Sequence, residues 1–173
     1  MIYFLSSLAI LANLVIFDFD ASTEPNAWRV VDDGVMGGLS AGKFEVDKNG
    51  NGRFFGTVSL ANNGGFSSVR HQFATKETSN YTKVVLRVKG DGKNYQFRLK
   101  KSTSDYYSYV YTFSTTGKWQ NIEIPFENFY PSFRGMTLDL PNYAPSQLEE
   151  VAFLIANKVA EDFELEIDTI ELK

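Results

Sequence analysis

Apolar and polar residues alternate with a period of two through nearly the whole chain, and no long stretch carries a convincing helical period. Successive side chains of an extended strand point to opposite faces, so this alternation commits most of the sequence to half-buried strands. Strands are expected near 14–19, 28–32, 42–48, 52–60, 66–73, 82–89, 93–101, 106–113, 119–125, 151–156 and 163–172. Turn chemistry separates them: "DKNGNG" at 47–52, "KGDGKN" at 89–94, "STSD" at 102–105 and "STTGK" at 114–118. Short strands at this spacing imply hairpins and an all-β fold, an antiparallel β-sandwich or jelly roll. Only 126–150 breaks the rhythm; it holds three prolines and is expected to be a long structured loop with a turn of helix.

The alternation also assigns faces. Tyr95, Phe97 and Leu99 point one way and Gln96, Arg98 and Lys100 the other; Val84, Leu86 and Val88 make a second core face opposite Val85, Arg87 and Lys89. Val69, His71 and Phe73 oppose Ser68, Arg70 and Gln72. If these strands are neighbours, one sheet carries an outer face with Arg70, Arg87, Arg98, Gln72 and Gln96. Tyr107, Tyr109, Tyr111 and Phe113 form a row whose side, outer or core, is left open by parity alone. In "FELEIDTIEL" the apolar parity changes between Ile167 and Ile170, which predicts a β-bulge near Asp168.

Composition removes several kinds of function. The 173 residues carry 21 acids against 17 basic residues, so there is no global basic field and no nucleic-acid partner is expected. There is no cysteine and one histidine, His71, which excludes thiol catalysis and His-rich or Cys-ligated metal centres. Asp32-Asp33 and Glu149-Glu150 are adjacent pairs that point apart when extended, unlike two carboxyls flanking one glycosidic bond. No Ser–His–acid set is evident, and His71, at a core-parity position, reads as a hydrogen-bonded structural residue. The expectation is a protein that is not an enzyme.

Residues 1–13 read as an apolar leader and 14–173 as a single β-sandwich domain. The leader has no Lys or Arg and no clean small-x-small site, so it is a degenerate export signal, a membrane-touching segment or a piece packed on the domain. The expected location is cytoplasmic, with membrane association through the leader as a second option and export left open.

Two stretches stand out against this background: "WRVVDDGVMGGLS" and "FFGTVSLANNGGFSSVR". Together with "LRVKGDGKNYQFRL", "YSYVYTF", "WQNIEIPFENFYPSFRG" and "FELEIDTIEL", they resemble the complex I intermediate-associated protein 30 family, in order and over nearly everything after residue 14. The resemblance implies a galactose-binding-like β-sandwich and a chaperone or assembly-factor role for respiratory NADH:ubiquinone oxidoreductase. One departure is that Arg134-Gly135 is followed by Met136, where the family often has a second arginine.

Candidate residues follow from the two glycine-rich loops and the cationic face. The loops contribute Asp33, Met36 and Asn63, either as turn residues bonding backbone N–H groups or as the rim of a binding surface. The face contributes Arg70, Arg87, Gln96 and Arg98, as a patch for acidic groups or a solvated surface with cross-strand pairs such as to Glu123. Tyr109 and Arg134 complete the set that would hold a protein client, such as complex I subunits or assembly intermediates. The alternative ligand is carbohydrate, stacked on Tyr107, Tyr109, Tyr111 and Trp119. The only cofactor considered is a structural calcium on Asp168 with Asp18 or Asp20, although such a site needs about six oxygen ligands.

Overall fold

A computed structural model describes residues 12–173, and the expected leader lies almost wholly outside them. Thirteen strands follow in chain order. They are β1 (Leu14–Asp18), β2 (Arg29–Asp32), β3 (Ala41–Val46), β4 (Gly52–Val58), β5 (Ser67–Glu77), β6 (Lys83–Gly90) and β7 (Asn94–Lys100). The rest are β8 (Ser108–Ser114), β9 (Trp119–Pro125), β10 (Tyr130–Phe133), β11 (Met136–Thr137), β12 (Gln147–Ile155) and β13 (Glu161–Leu172). All pairings are antiparallel, and the strands form two sheets. One runs β3-β4-β13-β6-β9, with β1 also on β13; the other runs β11-β10-β8-β7-β12-β5-β2. The expected all-β antiparallel sandwich is therefore the fold. Among the described residues no helix is long and apolar enough to cross a membrane.

The alternation works as expected in the central strands. Val84, Leu86 and Val88 of β6 and Phe97 and Leu99 of β7 have no exposure, because the two rows face each other across the sandwich. That opposition corrects the expected hairpin at 89–94. β6 and β7 bury facing rows, so the chain must cross from one sheet to the other between them. Gly92, at φ +87, makes the turn, and the Asp91 carboxylate holds it by accepting from Tyr95 Oη at 2.9 Å and the Glu164 N–H at 3.0 Å. The long loop at 126–150 is also more regular than expected. After a 3-10 turn at Phe126–Asn128 it forms β10 and β11 and begins β12.

The register settles the tyrosine row. Tyr109 pairs with Leu99, Tyr111 with Phe97 and Phe113 with Tyr95. Directly paired residues share a face, so the row points into the core. The expected bulge is present: β13 shifts register between Ile167 and Thr169, which keeps both Ile167 and Ile170 fully buried. At the end of the sandwich where β1 joins, Trp28 stacks on Phe19, Phe44 and His71 at ring distances of 5.1–5.6 Å. His71 is half-buried, with Nδ1 2.8 Å from the Ala27 carbonyl. Burial pushes its pKa down, Lys76 adds to that, and the Ala27 bond only partly opposes it.

Phe153, with no exposure, joins Phe97 at 5.0 Å to Phe113 and Trp28. Phe153→Ala is expected to cost about 3–5 kcal/mol by loss of burial and the cavity left behind. Thermal denaturation should show a fall of roughly 6–20 °C in Tm.

Candidate functional site

The site begins with a buried carboxylate. Asp33 has no exposure, yet it lies in a loop between β2 and β3. Its oxygens accept from the Ser40 hydroxyl at 2.5 Å and N–H at 3.0 Å, and from the N–H groups of Gly65 and Phe66 at 2.6 and 3.2 Å. Asp32 accepts from the Gly42 N–H at 3.0 Å and the Ser67 hydroxyl at 2.5 Å. The two acids thus sew the loop at 33–40 to the loop at 61–66, where the sheets meet.

This explains both Gly-Gly pairs. In each, one glycine takes a conformation that disfavours side chains: Gly37 at φ +86 and Gly65 at φ +138. The other must leave room for the carboxylate. A Cβ on Gly38 would collide with the Asp33 side chain, and one on Gly64 would lie 2.6 Å from Asp33 Oδ2. The turn-residue reading therefore holds for Asp32 and Asp33, and Asp33 is a scaffold for the rim with no surface to offer a partner. Asn63, at φ +59, and Met36, at 55% exposure, sit at the rim itself.

Below these loops a groove of about 920 Å³ runs over the outer face of the sheet that contains β7, β12 and β5. Arg70 of β5 and Gln96, Arg98 and Lys100 of β7 lie along its floor and walls. Leu154 and Phe66 add apolar floor, and Val35, Met36 and Leu60 form an apolar lip. At the far end stand Tyr106, Phe133 and Arg134. Arg134 and Gly135, at φ +50 and +79, are the two-residue turn that joins β10 to β11. The lining has five cations, Arg70, Arg98, Lys100, Arg134 and Lys158, and no carboxylate among the described residues.

The register sets the arginines in one rung. Arg29, Arg70, Ala152 and Arg98 are successive partners across β2, β5, β12 and β7. Arg70 and Arg98 thus flank a single alanine. Arg98 donates from Nε and Nη2 to Gln96 Oε1 at 3.0 and 2.7 Å. Burial, and secondarily the charge of Arg70, push its guanidinium down to about 10. Arg70 lies 3.9 Å from Glu150, whose other oxygen accepts from Gln72 at 2.7 Å.

Five expected residues therefore line the groove, Met36, Arg70, Gln96, Arg98 and Arg134, and Asn63 lies on the same rim. Two do not. Arg87 belongs to β6 in the opposite sheet, because the chain crosses between sheets at 89–94, and it donates to Asp168 at 2.8 Å. Tyr109 is 6% exposed on the core side of β8 and stacks edge-on against Tyr143. Tyr107 and Tyr111 share that core side and Trp119 lies in the other sheet, so the sugar-stacking set is not assembled. Glu123 pairs with Lys83, not with the arginines. For calcium, Asp168 is engaged by Arg87 and Asp20 by Ser22 and Thr23, and no three acids or histidines gather among the described residues. Reasoning from sequence missed Lys100, although it shares parity with Arg98; Lys158, whose loop gives no parity to read; and Phe133, which ends the short strand β10 inside the stretch expected to be a loop.

Comparison with known proteins sets this geometry in context. The family model for complex I intermediate-associated protein 30 matches residues 17–167. The chain is 28% identical to the mitochondrial complex I intermediate-associated protein 30 of Drosophila melanogaster, over 92% of this chain and 62% of that protein. It is 27% identical to the mouse protein of the same name, over 90% of this chain and 55% of that one. It therefore spans little more than half the length of these relatives. Their mitochondrial designation overturns the expected cytoplasmic location. Among solved structures, a family 11 carbohydrate-binding module of a Clostridium thermocellum cellulosomal cellulase superposes with a TM-score of 0.70 at 19% identity, over 94% of each chain. That likeness concerns the fold.

Asp33→Asn removes the charge that four donors address, and should cost about 2–4 kcal/mol at neutral pH. Burial alone would raise the Asp33 pKa, but the bonds from Ser40, Gly65 and Phe66 outweigh it and hold the carboxyl below its ordinary value. A depressed folded pKa gives stability that is complete above the unfolded value, about 3.9, and lost as pH falls below it. Urea unfolding should therefore show the gap between wild type and Asp33→Asn narrowing as pH falls from about 4 towards 2.

Proposed function

The chain belongs to the complex I intermediate-associated protein 30 family, and from that premise we propose that it is a non-enzymatic binding protein that holds a protein client in the groove beneath its two glycine-rich loops. The client would be a complex I subunit or assembly intermediate, the association that the fly and mouse relatives carry in their name. The observation that carries this reading is the groove itself, where an apolar lip of Val35, Met36 and Leu60 stands over a cationic floor.

Exposed apolar side chains cost a lone protein solubility and are retained where a partner covers them. Val35 is 82% exposed, Met36 55% and Leu60 45%, and all three stand on the same rim. The Asp32 and Asp33 bonds fix the backbone that carries Val35 and Met36, so the lip is held in place before a client arrives and little ordering cost remains on binding. Apolar anchors surrounded by cations suit a segment of unassembled protein that is both hydrophobic and acidic.

The test is affinity capture from detergent-solubilised mitochondrial membranes with the wild-type chain and a Met36→Asp/Leu60→Asp double variant. Complex I subunits recovered by wild type, and reduced at least about tenfold by the variant, are the expected result; tenfold corresponds to about 1.4 kcal/mol. Equal recovery by both would remove the lip from the account. Capture of no complex I subunit, with retention on a mixed-linked glucan column, would replace the client with a sugar.

A further inference from the structure

The two outer faces of the sandwich treat their cations in opposite ways. On the sheet containing β13, Arg53 lies 2.9 and 2.7 Å from Glu45 and Glu164, Lys83 2.5 Å from Glu123, Arg87 2.8 Å from Asp168, and Lys89 3.0 Å from Glu166. On the groove side, the sole ion pair among the described residues is Arg70 with Glu150, stretched to 3.9 Å. A protein with more acids than bases has supplied partners to one face and withheld them from the other.

Within the groove the imbalance is greatest at Arg98. Two of its N–H groups share one neutral acceptor, Gln96 Oε1, and no acid meets the guanidinium among the described residues. A desolvated cation beside a like charge is held at a cost, which an arriving anion would relieve. The floor between the two arginines is Ala152. Two strand spacings, roughly 10 Å, separate the flanking backbones, and Ala152 between them is small and only 4% exposed, so a larger side chain at that position would rise between the two arginines.

We infer that Arg70 and Arg98, straddling Ala152, clamp a carboxylate presented by an acidic, partly apolar peptide segment. This rests on the reading of the groove as a client site and names the chemistry the client must bring. A planar guanidinium matches a carboxylate with two parallel bonds, and Gln96 fixes the plane of Arg98 in advance. Leu154 beneath and Met36 and Leu60 above would receive apolar neighbours of the acid. A nucleic acid or an anionic membrane suits the site less well. Each would bring many charges against a whole molecule of net charge −4, whereas a short peptide meets only the groove.

The experiment is a titration of the full chain followed through its arginine Nε–H resonances, with acetyl-Leu-Glu-Leu-amide as probe and acetyl-Leu-Gln-Leu-amide as its neutral counterpart. The Glu peptide should shift the Arg70 and Arg98 signals saturably and bind about tenfold more tightly than the Gln peptide. Ala152→Leu, which keeps both charges and puts a larger side chain between them, should abolish the shift. Arg98→Lys, which keeps the charge and removes the fork, should lose most of the Glu-over-Gln preference; the backbone spectrum reports that each variant is folded. Equal binding of both peptides, an unchanged response in Ala152→Leu, or a stronger response to inorganic phosphate or to phosphatidylserine-containing vesicles would overturn the clamp. Capture of complex I subunits that survives Arg98→Lys and Ala152→Leu would overturn it while leaving the client reading intact. Saturable, Glu-selective binding with no subunit captured by wild type would leave the clamp standing and remove that client.

Discussion

The fold's candidate site depends on one buried carboxylate. Asp33 gathers four hydrogen bonds from two loops more than twenty residues apart in sequence, and the small residues Gly38, Ser40, Gly64 and Gly65 are gathered around it. Gly38 and Gly64 are small so that the acid can sit between them, and Gly37 and Gly65 turn the chain towards it. Ser40 closes the arrangement, since its hydroxyl donates to Asp33 while accepting from the Ser59 N–H at 3.0 Å. A charged acceptor surrounded by donors has one low-energy arrangement. The apolar lip above the groove is thereby fixed by a polar interaction beneath it.

The sheets below divide the remaining work. The face with paired charges is a solvated surface whose ion pairs, being largely exposed, contribute little stability individually. The groove face keeps Arg70 and Arg98 close, where like charge and desolvation act against folding. Burial between the sheets must offset that cost, and the fully buried rows of β6, β7 and β12 supply it. Local electrostatic frustration of this kind is concentrated where a protein meets something else.

Much of this was legible in the chain. The strands, the inward rows of β6 and β7 and the bulge at Asp168 follow from parity, because a buried face tolerates no slip. Sheet membership does not. Arg87 and Arg98 have equivalent parity in consecutive strands, yet they lie on opposite outer surfaces because the turn at 89–94 crosses between sheets. The tyrosine row was ambiguous for a related reason: only its pairing with Leu99, Phe97 and Tyr95 says which side it faces. The glycine pairs marked the loops, but not that Asp33 would be consumed in holding them. The rung Arg70–Ala152–Arg98 joins three strands distant in sequence, and no local pattern announces it.

The likeness to a carbohydrate-binding module shows how little a shared frame constrains chemistry. A sheet that binds sugar by stacking needs aromatic faces turned outward. Here β8 spends Tyr109 and Tyr111 on the core side, with Tyr107 just before it also packed on the core, and the outward positions of β7 go to Gln96, Arg98 and Lys100. Shifting β8 by one residue would reverse its assignment without altering the strand order. Register, more than topology, therefore decides whether this surface offers rings to a neutral ligand or forks to a charged one.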